Sequence, residues 1–158
     1  MQIHELELPT LREELGDKKV VLAVGAFDLF HAGHMDYLRW ARDIAGQNGI
    51  VAVMVRTDQR VSAGKGKERP VIEEGEREYI VANTKPVDVT FFGTETPHGI
   101  KTSMHAAKLL RPNIVAIGDG WRDDSAQWGS LVPGVEVALA PFPHRQSTSR
   151  IIQKVRNF

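Results

Sequence analysis

Residues Val20 to Ile44 read VVLAVGAFDLFHAGHMDYLRWARDI, and the fold turns on how this stretch divides. Val20-Val21-Leu22-Ala23-Val24 is an apolar run with the β-branched content of a buried strand. Gly25 breaks the run, and Ala26-Phe27-Asp28-Leu29-Phe30 leads to His31-Ala32-Gly33-His34. Beyond His34 the period becomes helical, with Tyr37, Leu38, Ala41 and Ile44 recurring on one face. A buried strand thus runs through a short turn into a helix, with two imidazoles at the junction. The free N–H groups and positive dipole end of a helix N-terminus favour anions. Gly33 has no Cβ, which lets a ligand approach the backbone. Histidines three apart near a helix start can face the same way. The residues point to phosphate binding with two imidazole donors; a metal site and a plain surface pair are the other readings.

Working outward, 158 residues fit one domain with a real core. A formal net charge of zero argues against nucleic-acid binding driven by bulk charge. With no cysteine there is no disulfide, thiolate zinc site or cysteine nucleophile, which fits a cytoplasmic protein. Met1-Gln2-Ile3-His4-Glu5 lacks the features of a signal peptide, and no apolar run is long enough to span a membrane.

On the N-terminal side, Ile3 to Gly16 reads as a short helix, capped by a Thr10/Glu13 capping box, in an extension over residues 1–18 that packs on the domain of 19–158. On the C-terminal side, Ile50 to Val55 is a second buried strand. Arg56 to Glu74, rich in Gly and cations with little apolar periodicity, reads as a mobile loop. Glu73 to Thr84 is a helix that starts late because of Gly75, and Val87 to Phe92 a strand. Ile100 to Leu110 is a helix ended by Pro112, Asn113 to Ile117 a strand, Asp123 to Leu131 a short helix, Gly134 to Leu139 a fifth strand and Ser149 to Arg156 a last helix. The alternation implies an α/β, Rossmann-like doubly wound sheet of about five parallel strands in a single domain. Ser147, Thr148 and Ser149 beside Arg145 read either as simple caps or as a phosphate cradle.

The run Gly25 to His34 resembles the G-x-F-D-x-x-H-x-G-H signature of the cytidylyltransferase-like nucleotidyltransferases. Lys65-Gly66-Lys67-Glu68-Arg69-Pro70 resembles the K-G-x-G-R-P stretch of the adenylyltransferase domain of ADP-heptose synthases, with Glu68 in place of Gly. Arg77 matches the Arg of the E-x-R element that follows, and Gly93 to Pro97 resembles a D-x-T-P segment. Gly118-Asp119-Gly120-Trp121 resembles the G-D-D-W of glycerol-3-phosphate cytidylyltransferases and the G-G-D-Y of the heptose enzymes; both have Asp where this chain has Gly120. Ser147-Thr148-Ser149 is similar to the S-T-T or S-T-S element that closes the domain in this superfamily.

The resemblance implies transfer of a nucleotidyl group from a nucleoside triphosphate, ATP or CTP, to a phosphorylated small molecule such as a sugar phosphate, with release of pyrophosphate. Under it His31, His34 and Lys65 are catalytic. Gly25, Ala26, Phe27, Asp28 and Gly33 bind the nucleotide, with Arg69, Asp119, Arg145, Ser147, Thr148 and Ser149. Arg77 and Trp121 bind the acceptor substrate. The resemblance also implies that Mg²⁺ accompanies the triphosphate without a protein metal site, and that the chain is a homodimer. ATP is expected over CTP, because Pro143 to Ser149 lacks the Thr-Glu-Gly-Ile part of the cytidylyl R-T-E-G-I-S element. The alternatives are a cytidylyltransferase acting on glycerol 3-phosphate or a similar alcohol phosphate, and a nucleotide-binding module without turnover; a metal hydrolase using His31 and His34 lacks a nearby carboxylate cluster beyond Asp28 and Asp36.

Overall fold

A computed structural model describes residues 1–93, 102–118, 128, 132–143 and 146–158. Five strands, β1 (Val20–Gly25), β2 (Ile50–Val55), β3 (Val89–Phe92), β4 (Ile114–Ile117) and β5 (Glu136–Leu139), form one sheet in the order β3-β2-β1-β4-β5. Every neighbouring pair is parallel. Among the described residues the helices are α1 (Leu8–Leu15), α2 (Ala32–Ala45), α3 (Asp58–Lys65), α4 (Glu74–Ala82), α5 (Thr102–Leu110) and α6 (Thr148–Arg156).

Side chains alternate across a strand, and β1 shows what that does in a fully buried one. Val20 and Leu22 pack with Leu8 and Leu11 of α1 and with Met104 and Leu110 of α5. Val21 and Ala23 face Tyr37, Leu38 and Ala41 of α2 and Val81 of α4 on the other side. Helices therefore cover both faces, and the fold is the expected Rossmann-like doubly wound sheet. The strand order reverses between β1 and β4, and the crevice outside the carboxyl ends of the strands at such a point is where ligands bind in open α/β sheets.

One side chain links the two strands at that crevice. β1 and β4 pair at Val21–Ile114, Leu22–Val115 and Ala23–Ala116. In a parallel ladder the Ala23–Ala116 pair is closed by Val24 N–H and the Ala116 carbonyl. The Tyr37 hydroxyl bridges these two groups, accepting from Val24 N–H at 3.1 Å and donating to Ala116 O at 2.8 Å. The hydroxyl is buried, which pushes its pKa up to about 12 against the opposing effects of the Val24 hydrogen bond and the Arg56 charge, so it stays a donor.

Several boundaries differ from the sequence reading. Thr10 lies inside α1 and caps nothing: Pro9, which lacks an N–H and suits a first turn, lets the helix begin at Leu8. The capping box belongs to a 3₁₀ turn at Glu5–Glu7, where His4 Nδ1 accepts from Leu6 N–H at 3.2 Å and Glu7 accepts from His4 N–H at 2.6 Å. Residues Met1 to Ile3 run beside β3, with Ile3 N–H donating to Thr90 O at 3.0 Å and Thr90 N–H to Met1 O at 2.8 Å, so that sheet edge is covered. Arg56 to Glu74 is not a continuous loop, since α3 occupies Asp58–Lys65 with Thr57 as its cap. Gly75 does not delay α4, which starts at Glu74. The last helix starts one residue early, at Thr148 behind an N-cap Ser147. The short helix expected over Asp123 to Leu131 lies outside the described residues apart from Trp128.

Candidate active site

The turn leaving β1 is tight. Phe27 and Leu29 both adopt positive φ, 54° and 48°, a conformation uncommon outside glycine. A Cβ on Gly25 would lie 2.8 Å from the Phe27 ring, so Gly25 lets that ring fold back beneath the strand end. Asp28 fixes the turn from inside. It is fully buried, and its carboxylate accepts from Val71 N–H and Ile72 N–H at 3.0 Å each and from Arg69 Nε at 2.7 Å. Its carbonyl accepts the Thr148 hydroxyl at 2.7 Å. Burial pushes the Asp28 carboxyl up, but the Ile72 and Val71 hydrogen bonds and the Arg69 guanidinium outweigh it and hold the group below its ordinary value. One residue thus ties the turn after β1 to the segment before α4 and to the start of α6.

His31 is the N-cap of α2, with extended backbone at φ −142°. His34 N–H donates to His31 Nδ1 at 3.4 Å, and His31 N–H donates to His34 Nδ1 at 3.4 Å. The pair forms a capping box from two imidazoles, stacked at 3.7 Å with 16° between ring planes. Because each Nδ1 accepts, each neutral ring carries its proton on Nε2. The box therefore fixes the orientation of both rings, and the edge-on Phe27 ring at 5.3 Å buttresses His34.

Gly33 serves a different neighbour from the expected ligand. A Cβ there would lie 2.7 Å from the Gln146 carbonyl, so the chain's own backbone before α6 occupies that approach. At the start of α6, the Ser147 hydroxyl accepts from Arg150 N–H at 3.3 Å, and the Thr148 hydroxyl is committed to Asp28 O.

These elements enclose a cavity of about 330 Å³. Gly25, Ala26, Phe27, His31, Gly33, His34, Lys65, Ser147, Thr148 and Ser149 all line it, so most of the residues singled out in the sequence meet on one wall. A second cavity of about 310 Å³ adjoins it, lined in part by Met54, Thr102, Ser103, Met104, Ile117 and Trp128. Val24, Arg56, Arg60, Gly64 and Gly118 belong to both, and form the seam of a two-lobed cleft. Lys65 ends α3 beside the first lobe. Burial, with the Arg69 and Arg56 charges, holds its ammonium below the ordinary lysine value, and Asp28 only partly offsets them.

Three expected site residues stand elsewhere. Arg69 is paired with Asp28 and faces a separate surface hollow rather than the two lobes. Arg77 is fully buried and acts as a clamp. Its Nε donates to Ile72 O at 2.8 Å, its Nη1 to Ala26 O, and its Nη2 to Arg56 O and Asp58 Oδ1 at 2.7 Å each. Asp28, as above, lies beneath the cavity. Asp119, Trp121 and Arg145 lie outside the described residues. The sequence reading passed over Arg56 and Arg60; the available signal was that Arg56 directly follows the last residue of β2, at the ligand side of the sheet.

Among the described residues no group of three or more His, Asp or Glu side chains could hold a metal ion. With Asp28 fully engaged, the described wall does not fit a resident cation.

The chain is 39% identical over 141 residues to the bifunctional protein HldE of Magnetococcus marinus, covering 87% of this chain and 27% of that one. It is 34% identical over 139 residues to an FAD synthase of Korarchaeum cryptofilum, covering 85% of this chain and 90% of that one. It therefore spans about a quarter of the length of the HldE relatives. A lipopolysaccharide core biosynthesis protein of Thermoplasma volcanium GSS1 superposes with a TM-score of 0.63 at 23% identity, over 77% of this chain and 94% of that one, a likeness of fold. Residues 22–154, from β1 into α6 and so across the whole cleft, match the cytidylyltransferase-like family, and the chain belongs to it.

Proposed function

We propose that the protein transfers a nucleotidyl group, AMP in preference to CMP, from a nucleoside triphosphate to a phosphorylated small molecule and releases pyrophosphate. The reciprocal histidine box carries this reading, because it fixes two imidazoles on the wall of a cavity that a second helix N-terminus also lines. An oxygen of the acceptor phosphate attacks the α-phosphorus, and the bond from that phosphorus to the bridging oxygen breaks with its electron pair leaving on pyrophosphate. No enzyme nucleophile is required, so rate comes from positioning and from donors aimed at the charge that grows on the leaving group. His31 and His34 supply those donors and Lys65 a cation. Ser147, Ser149 and the backbone at the start of α6 hold the β- and γ-phosphates; Thr148 acts through its backbone, its hydroxyl being engaged. Asp28, Arg69 and Arg77 hold the walls in place rather than touch substrate. Magnesium, accompanying the triphosphate as part of the substrate, would supply charge neutralisation.

The preference for ATP is supported by the likeness of Lys65 to Pro70 to the heptose adenylyl enzymes and by relatives named FAD synthase, whose product contains AMP. A matrix of ATP and CTP against sugar, polyol and amino-alcohol phosphates and flavin mononucleotide, read by pyrophosphate release, tests the proposal. A higher kcat/KM with CTP would overturn the adenylyl preference. Tight nucleotide binding with no release from any pair would leave a binding module.

A further inference from the structure

The cleft has two lobes, and the proposed reaction brings together two anions. The first lobe supplies the histidines, Lys65 and the start of α6 for one of them. Where the lobes meet stand Arg56 and Arg60, each on the wall of both. Arg56 sits at the carboxyl end of β2, and its carbonyl is pinned by the buried Arg77 at 2.7 Å. Arg60 lies in the first turn of α3, where its N–H donates to the cap Thr57 at 3.3 Å. Guanidinium groups are planar forks that match phosphate oxygens two at a time. A phosphate monoester brought against a triphosphate is repelled, and two cations at the point of approach offset that repulsion. Arg56 is also close enough to Lys65 to help depress its pKa, which places it beside the first lobe's own cation. Beyond the seam the described wall of the second lobe is mainly apolar, with Met54, Met104, Ile117 and Trp128, and with Thr102 and Ser103 at the start of α5. Thioethers and an indole suit an apolar or planar body better than a chain of hydroxyls, each of which needs a partner when buried.

We propose that the second lobe is the acceptor pocket, that Arg56 and Arg60 hold the acceptor's phosphate against the α-phosphorus, and that the acceptor's body is apolar or aromatic. The proposal rests on nucleotidyl transfer being the activity, and narrows its second substrate to a class. The probe is phenyl phosphate, a phosphate monoester with an apolar body, with glycerol 3-phosphate as its polyol counterpart. Each is titrated calorimetrically into the full chain saturated with Mg²⁺ and α,β-methylene-ATP, which cannot undergo the transfer. Phenyl phosphate is expected to bind at least about tenfold tighter than glycerol 3-phosphate. R56Q and R60Q should each weaken it about tenfold or more, the size of a lost charge-assisted hydrogen bond, while α,β-methylene-ATP affinity stays within about threefold. R56K and R60K, which keep the charge without the fork, should fall between. Equal or tighter binding of the polyol overturns the substrate class. Variants that bind phenyl phosphate like wild type, or that lose the nucleotide as much as phenyl phosphate, overturn the arginine assignment; retained nucleotide binding certifies the fold. If wild type does not bind the nucleotide analogue at all, nucleotidyl transfer itself fails, a result distinct from either.

Discussion

Each histidine of the pair caps the other's backbone, so each has a local duty besides any catalytic one. H31A and H34A should cost about 0.5–2 kcal/mol of stability, as lost N-caps do. If the imidazoles meet charge that develops in the transition state, the same variants lose far more kcat than KM, on the order of a hundredfold. Pyrophosphate release with a working acceptor separates the two effects; full turnover in either variant contradicts the leaving-group role. Asp28 makes a cleaner stability statement. Its folded pKa lies below the reference 3.8, so its contribution is fully present above that value and is lost as pH falls through the folded pKa. D28N leaves a buried Arg69 Nε facing an amide, and should cost about 3–5 kcal/mol near neutral pH. In urea melts the gap between wild type and D28N should shrink below about pH 4. A gap that does not change with pH would mean the carboxylate charge is not what holds the turn.

At the scale of elements, the junction of α2 and α6 is the most sensitive contact. A methyl on Gly33 meets the Gln146 carbonyl, a backbone atom that cannot swing aside like a side chain. G33A should therefore lose about 1–3 kcal/mol and displace the start of α6 from the histidines. Thermal melts and ATP titrations check both; unchanged nucleotide affinity would show that α6 does not need that register. The same scale shows what the sequence could and could not reveal. The β1–turn–α2 unit was legible because its apolar period switches once, at a glycine, with the histidines at the change. α3 was not, because Asp58 to Lys65 buries only Val61 and so carries no stripe. That helix is held from outside, by Thr57 capping it, by Glu74 accepting from Asp58 N–H at 2.6 Å and by Arg77 on Asp58. For the same reason Arg69 and Arg77 read as ligands: an arginine beside a glycine-rich stretch looks alike in sequence whether its partner is a phosphate or a distant carboxylate such as Asp28.

Across the whole molecule the sheet is unevenly joined. β1 and β2 stay in register from Val20–Ile50 to Gly25–Val55, whereas β1 and β4 pair only from Val21–Ile114 to Ala23–Ala116 before the tyrosine intervenes. The cleft crosses that weak line: His31 and Lys65 reach it from the β1 side, and Gly118 from the end of β4. A bound nucleotide would then act as a clasp across a half-open seam. Amide exchange should report this as an asymmetry, with protection on adding α,β-methylene-ATP rising at Val24 and Gly118 while the interior of β2 changes little. Uniform slowing over the sheet would mean that the nucleotide only stabilises the fold as a whole. In Y37F the Val24 amide and the Ala116 carbonyl lose the hydroxyl that relays between them. The two are then left to pair with each other alone, drawing the strand ends together. Val24 should be protected before any nucleotide is added, and the nucleotide, arriving at a narrower mouth, should bind more weakly.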